Sequence, residues 1–469
     1  MSWGKAGFFG LLTVTVMVFS GCAYSFENAE ELRPPSVSSV QENTPPAVDP
    51  EPESTDVTYE FAQDLVDDEL CKLKEDSEPR RSFTDAYAVS FPANPLQIKP
   101  EGEVNITVIP VDWEDAEGEA APSVYVGEQL ETFEAFYSTV SEENLLLQLD
   151  FQDQWFRLSG NSSDYYITEA EESDWRPPAP EKRKKLFSSA IESADPVVDF
   201  SNTDVVLLIL PKNADVLEVG ALSFVTQRDA RTTVSADGNT MVHFLAGGNR
   251  FDKRPQTNLW SFWAHEFGHM LGLPDMVLHG NTKEAEMWEV NPFSGYDIMA
   301  QQDGPLRTIN SWTRWVNGWI PDDAVLCTSS ETVNRDVFAL APLDDIDSDL
   351  VRSLVVKVSE DEVLVVENRA PNRQFDTPVD DEWYGIVSYL VSRRLGHGEA
   401  AFRLLTHFDG KGSMKYIDDK TNLNSYLLYG TMNEGEEYSY AGIKIKVLDF
   451  QGTTGIVEVS SPEDQQIPH

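Results

Sequence analysis

The sequence predicts an α+β protein in two parts: a mixed sheet with helices over residues 101–325, then a β-rich, sandwich-like module over 326–469. Three observations lead there. Between Val104 and Ala246, strand-like apolar runs alternate with amphipathic stretches, the order that layers helices on a sheet. The aromatic stretch Trp260 to Asp275 reads as a buried helix closed by a glycine turn. Beyond Asp322 the character changes to short strands without long helices. A chain of 469 residues exceeds a single small core.

The chain opens on a targeting segment, residues 1–21. Lys5 gives it a positive start, and Gly7 to Phe19 is apolar but short for a membrane span. It runs into Phe19-Ser20-Gly21-Cys22, which resembles a bacterial lipobox with Cys22 as the lipidation site; the alternative is an ordinary secretory signal cleaved nearby. Both place the mature chain outside the cytoplasm, surface-anchored or secreted. Residues 22–57 follow as a tether. From Glu27 to Val57 there are six prolines, eight acidic residues, one arginine and no aromatic residue, too little apolar surface to fold. Residues 58–100 read as an N-terminal, pro-like segment, with an amphipathic helix from Thr58 to about Leu73.

Val104 to Val111 is the first core strand, ending in the acidic loop Asp112 to Asp115. Glu128 to Thr139 carries Leu130, Phe133, Phe136 and Tyr137 on one helical stripe. Leu145 to Leu149 and Trp155 to Leu158 read as a pair of strands, and Lys182 to Ile191 as a basic helix. Asp204 to Leu210 is apolar enough for a fully buried central strand, and Thr240 to Ala246 is a further strand. Asn291 to Ala300 is turn-rich and contains Met299. Trp312, Trp315, Val316 and Trp319 make an i, i+3, i+4, i+7 stripe, so Thr308 to Trp319 reads as a helix that packs. Short strands at 337–340, 354–358, 363–367, 385–390, 443–448 and 455–459 complete the β-rich module.

A formal net charge of −45 argues against charge-driven binding to nucleic acid or an anionic membrane. The expected membrane contact is the lipid on Cys22 alone, and the expected state is a monomer. Surplus carboxylates also raise Ca2+ as a second ion, with Asp112 and Asp115 or Asp344, Asp345, Asp347 and Asp349 as its loops; solvated acidic loops are the plainer reading. With Cys22 lipidated, Cys71 and Cys327 remain as an even pair for one disulfide in an oxidising compartment. A rarer alternative has Cys71 as a thiolate capping a metal.

The chemistry concentrates in His265-Glu266-Phe267-Gly268-His269. Histidines four apart share one helix face, and two neutral imidazoles suit zinc. Gly272 would turn the chain, letting Asp275 swing back as third ligand, preferred on spacing over His279. Glu266 sits beside the first ligand as general base for a water activated by the metal. Of the remaining histidines, His243 reads as packed, and His397, His407 and His469 lack partners at metal spacing.

Extended to H-E-x-x-H-x-x-G-x-x-D with a downstream methionine, the sequence resembles the immune inhibitor A-like family of secreted metzincin-type zinc metallopeptidases. Asp112-Trp113, Asp204 to Leu210, Trp312 to Trp319, Val365 to Arg369 and Gly385 to Leu390 extend the resemblance over roughly residues 100–460. It implies a metzincin-like fold in the first part, Zn2+ on His265, His269 and Asp275, Glu266 as catalytic base, and Met299 as the methionine turn beneath the metal. It implies a protein or peptide substrate whose extended backbone pairs with an upper-rim strand, for which Thr240 to Ala246 is the candidate. The stretch between Asp275 and Met299 does not match. The rival readings are a surface adhesion or binding lipoprotein with a non-catalytic metal site, and a zinc hydrolase of cell-wall peptides. No G-x-S-x-G elbow or phosphate-binding glycine loop supports a serine hydrolase or nucleotide enzyme.

Overall fold

Strand β1 (Gly102–Asp112) is the rod on which the first sheet is built. Its side chains alternate: Val104, Ile106 and Val108 enter one core, Ile109 and Val111 the other. The structure, a computed structural model, describes residues 59–62, 67–74, 89–92, 98–168, 171, 178–218, 221–225, 233–248, 258–279, 291–302, 304–372, 374–376, 381–408, 414–417, 425–428 and 430–461. The leader, Cys22, the tether and His469 lie outside them.

Strands β2 (Leu145–Phe151) and β3 (Phe156–Arg157) each pair in parallel with β1, β2 along Gly102–Val108 and β3 at Val111–Asp112. Both stretches expected as strands are strands, and both lie against β1. Next to β1 comes β4 (Val205–Ile209), buried at every residue and parallel to it. The order is completed by β5 (Ala221–Val225), the hairpin strands β6 (Val234–Ala236) and β7 (Asn239–Met241), and β8 (His243–Gly247). The main path runs β2-β1-β4-β8-β5, with β8 parallel to β4 and β5 antiparallel to β8 at the edge.

The expected strand over 240–246 is thus two strands. Thr240 and Met241 belong to the hairpin, whose turn residues Asp237 and Gly238 have φ of 50° and 79°, as a tight two-residue loop requires. His243 to Gly247 is paired on both sides, so it has no free edge for a substrate backbone. The edge on this side of the sheet is β5, and β2 ends the path on the other.

Helices cover both faces. Pro122 starts α1 (Pro122–Val140), which buries Leu130, Phe133, Phe136 and Tyr137 and rests Phe133 edge-on against Trp263 and Phe267 of α3 (Leu259–Met270). Helix α2 (Ala179–Ala194) covers the opposite face with Leu186, Phe187, Ala190 and Ile191. A sheet buried on both faces explains the continuous apolar run in β4.

The C-terminal part is β-rich. One sheet contains β9 (Val325–Ser329), β11 (Ser353–Lys357), β12 (Glu362–Arg369), β13 (Gly385–Ser392), β14 (Phe402–Leu404) and β17 (Thr431–Met432). A second contains β10 (Arg335–Leu340), β18 (Glu437–Tyr440), β19 (Ile443–Gln451) and β20 (Thr454–Ser460). β15 (Met414–Ile417) and β16 (Ser425–Leu428) form a separate hairpin. Pairing is antiparallel except between β9 and β11. Leu364 and Val366 of β12 pack with Ile445 and Val457 between the two sheets. Val363 and Val365, one step away, enter the core that holds Trp263 and Met299. That core continues across residue 325, so the β-rich part walls the site region.

The Trp-rich helix is shorter than expected, α4 (Ser311–Val316). Asn310 caps it by accepting from the Thr313 N–H at 2.9 Å, and Gly318, with φ of 74°, lies just beyond its end. Trp312 Nε1 donates to Val89 O and Trp319 Nε1 to Pro100 O, anchoring the N-terminal segment. The expected helix over 58–73 is not found among its described residues, which form only a short 3-10 turn at Asp68–Leu70. Its neighbour Cys71 is joined to Cys327 on β9 by a disulfide, so Cys71 is no thiolate cap. Such a bond suits an oxidising, extracytoplasmic compartment. No described helix is long and apolar enough to cross a membrane.

Candidate metal centre

Helix α3 carries two histidines in a wall of aromatics; every one of its residues is buried except Glu266. The helix ends in a glycine-dependent turn. Gly272 has φ of 89°, its N–H reaches His269 O at 3.0 Å, and Leu273 N–H reaches Gly268 O at 2.9 Å. These two bonds close the helix and reverse the chain. The reversal brings Asp275 back over the histidines, its carboxylate fully buried.

Asp275 Oδ1 lies 3.3 Å from His265 Nε2 and 3.5 Å from His269 Nε2. Ligands held about 2.0–2.1 Å from a tetrahedral zinc are roughly 3.3–3.4 Å apart, so these separations fit one ion between the three atoms. The backbone sets the tautomers. His265 Nδ1 lies 2.9 Å from Ile298 O and His269 Nδ1 3.0 Å from Leu273 O. Each Nδ1–H donates to a carbonyl, which places the ring's lone pair on Nε2. Buried His265 Nε2 has no hydrogen-bond partner among the described residues, the mark of an atom built for a ligand.

In the metal-free site, burial pushes His265 down, but Asp275 and neighbouring Glu266 outweigh it and hold the ring at about 9. Burial likewise opposes ionisation of Asp275, yet the imidazoles of His269, His397, His265 and His279 hold its carboxyl well below the usual range.

Met299 lies under the helix, fully buried. Its N–H donates to Asp297 Oδ1 at 2.8 Å, and its carbonyl accepts from Met276 N–H at 3.2 Å. The turn therefore holds the residue after Asp275 and, through Ile298 O, the first histidine.

Two histidines join that the sequence ranked lower. His279 Nε2 is 2.9 Å and His397 Nε2 3.4 Å from Asp275 Oδ2. For His397 this is a correction: it lacks partners at metal spacing in the sequence, yet its Nδ1 accepts the Asp275 N–H at 3.0 Å across 122 residues. Burial, reinforced by the surrounding imidazoles, pushes this ring down to about 3 against the pull of Asp275. The only local cue is its flanking glycines. His243 lies on β8 and belongs to neither group of candidate ligands.

Three carboxylates of the acidic loops are engaged by protein donors. Asp112 accepts from Arg157 Nε at 2.6 Å, Asp115 from Ser162 N–H at 2.8 Å and Asp344 from Arg314 Nη2 at 2.7 Å. Among the described residues, only His265, His269 and Asp275, and Asp275, His279 and His397, bring three candidate ligands together.

The fold and site define a mixed α/β chain with a β-rich C-terminal part and a buried His-His-Asp group able to hold a metal ion. No protein-family model matches the chain, and no curated protein matches it significantly.

Proposed function

We propose that the protein is an extracytoplasmic, zinc-dependent endopeptidase of the metzincin type. The observation that carries this reading is the contrast along α3: His265 and His269 are buried beside Asp275, while Glu266 alone is not buried. A metal site that only stabilised the fold would have no use for an accessible carboxylate beside its first ligand. Zinc held by these residues would supply Lewis acidity for polarising a carbonyl and activating a water.

Glu266 then takes the proton from the attacking water and returns it to the leaving amine. His265 and His269, oriented by Ile298 O and Leu273 O, hold the metal face rigid. The edge strand β5, which packs beside α3, is where an extended peptide would add as a further strand. That role moves from residues 240–246 to Ala221–Val225. The disulfide and the targeting segment suit a lipid-anchored or secreted enzyme.

The test is metal content and casein hydrolysis by the purified protein and Glu266→Ala, each with and without chelator. The reading expects one zinc per chain in both, and chelator-sensitive hydrolysis in the parent only. Zinc in both with equal, negligible hydrolysis would reject it in favour of an adhesion or binding lipoprotein.

A further inference from the structure

We propose that His397 and Gly398, in the β-rich part, are positioning residues that clasp the main chain of Asp275 and so aim its carboxylate at the histidines of α3. The proposal rests on the His265, His269 and Asp275 metal reading. The helix brings Asp275 to the site without orienting it. The bonds that close α3 end at Leu273, and a residue beyond a closed helix end has no helical partner for its N–H or C=O. Both groups of Asp275 are instead taken up by the loop between β13 and β14.

Asp275 N–H donates to His397 Nδ1 at 3.0 Å, and Asp275 O accepts the Gly398 N–H at 3.1 Å. Four residues on, His279 N–H donates to Gly398 O at 2.9 Å, and Leu278 bridges Glu399 in antiparallel register. Residues 275–279 thus lie alongside 397–399. The peptide groups on both sides of Asp275 are fixed, so its side chain leaves the backbone in one direction. Along that direction Oδ1 comes within 3.3 Å of His265 Nε2 and 3.5 Å of His269 Nε2. A ligand held this way is ordered before the metal arrives, and its ordering entropy does not oppose binding.

The same bond sets His397 apart from the two histidines of α3. A neutral ring that accepts at Nδ1 carries its proton on Nε2, whereas His265 and His269 meet carbonyls at Nδ1. His397 therefore serves the centre through the main chain of a ligand, as the partners behind metal ligands do. Gly398 makes the close approach possible. Its φ is 70°, and a Cβ there would stand 2.4 Å from His279 Nδ1. Glu399 Oε2 accepts the Gly396 N–H at 2.9 Å, closing the turn that presents His397. Residues 101–325 alone do not fix the third ligand.

The test uses the full chain and two readouts: zinc affinity by chelator competition with the cobalt(II) visible spectrum, and amide exchange over Asp275 to His279 in the metal-free protein, read by mass spectrometry. The parent should bind one zinc and protect the Asp275 and His279 amides. His397→Leu, which removes the acceptor, should weaken zinc about 10–100-fold, shift the cobalt bands and lose the Asp275 protection. His397→Asn, whose amide oxygen branches from Cγ as Nδ1 does, should restore most of all three. A merely space-filling His397 would be replaced as well by Leu as by Asn. Unchanged affinity and exchange in His397→Leu, equal behaviour of Leu and Asn, or two zinc equivalents in the parent would overturn the clasp. So would an unprotected Asp275 amide in the parent, which decides the matter if His397→Leu does not fold. A parent that protects this amide but binds no zinc would reject the metal reading and leave the clasp as a structural contact without a metal to serve.

Discussion

Met299 occupies the space where a side chain at Gly268 would project: a Cβ there would lie 2.6 Å from Sδ and 3.3 Å from Tyr137 Oη. Gly268 sits one residue before His269, so the fit sets the height of α3 above the turn at Asn291 to Ala300. Alanine favours a helix interior by about 1 kcal/mol over glycine. Gly268→Ala should nonetheless destabilise the protein by about 1–3 kcal/mol through overpacking and weaken zinc binding. Urea unfolding with metal titration checks both; a net gain in stability would contradict the contact.

Zinc binding should release about one proton at pH 7. Without metal, His265 is held at about 9 by Asp275 and Glu266 against the effect of burial, and its proton occupies the metal's place on Nε2. From this group, affinity rises about tenfold per pH unit up to roughly pH 9 and then levels off. The sign for metal-free stability is opposite. A folded pKa above the unfolded 6.5 contributes stability below pH 6.5 that is lost as pH rises through 9. Calorimetry in buffers of different ionisation heat counts the proton; none released at pH 7 would reject the assignment.

Glu367→Ala should be among the most damaging changes outside the metal centre. Glu367 is fully buried and accepts from Arg369 Nε at 2.7 Å, Ser311 N–H at 2.7 Å and Tyr389 Oη at 3.1 Å. Arg369 Nη2 in turn donates to Tyr296 O at 3.0 Å, in the turn that carries Met299. Removing one partner leaves a buried charge uncompensated, which costs about 3–5 kcal/mol. Chemical unfolding reads that loss, and zinc affinity should fall with it. A change under about 1 kcal/mol would show that the network is not needed.

Opening the Cys71–Cys327 bond with a Cys→Ser pair should destabilise by about 2–5 kcal/mol, because the bond closes a loop of 256 residues. The N-terminal segment also depends on Trp312 and Trp319 donating to Val89 and Pro100. Proteolysis should therefore cut first near residues 59–92 in the double variant. Equal protection in the two proteins would mean that the tryptophan contacts suffice.

Residues close in the chain and governed by one local geometry were legible in the sequence. The helical repeat fixes His265 and His269 on one face, Gly272 marks the turn because only a residue tolerant of positive φ closes that helix end, and Asp275 follows within reach. Alternating and continuous apolar runs located β1, β4, β12 and β13 for the same reason. Tertiary structure decided the rest. That β8 is covered by β5, and that β2 and β3 both attach to β1, are pairings between distant segments on which local periodicity is silent. His397 meets Asp275 across 122 residues, a distance at which sequence spacing carries no geometric information.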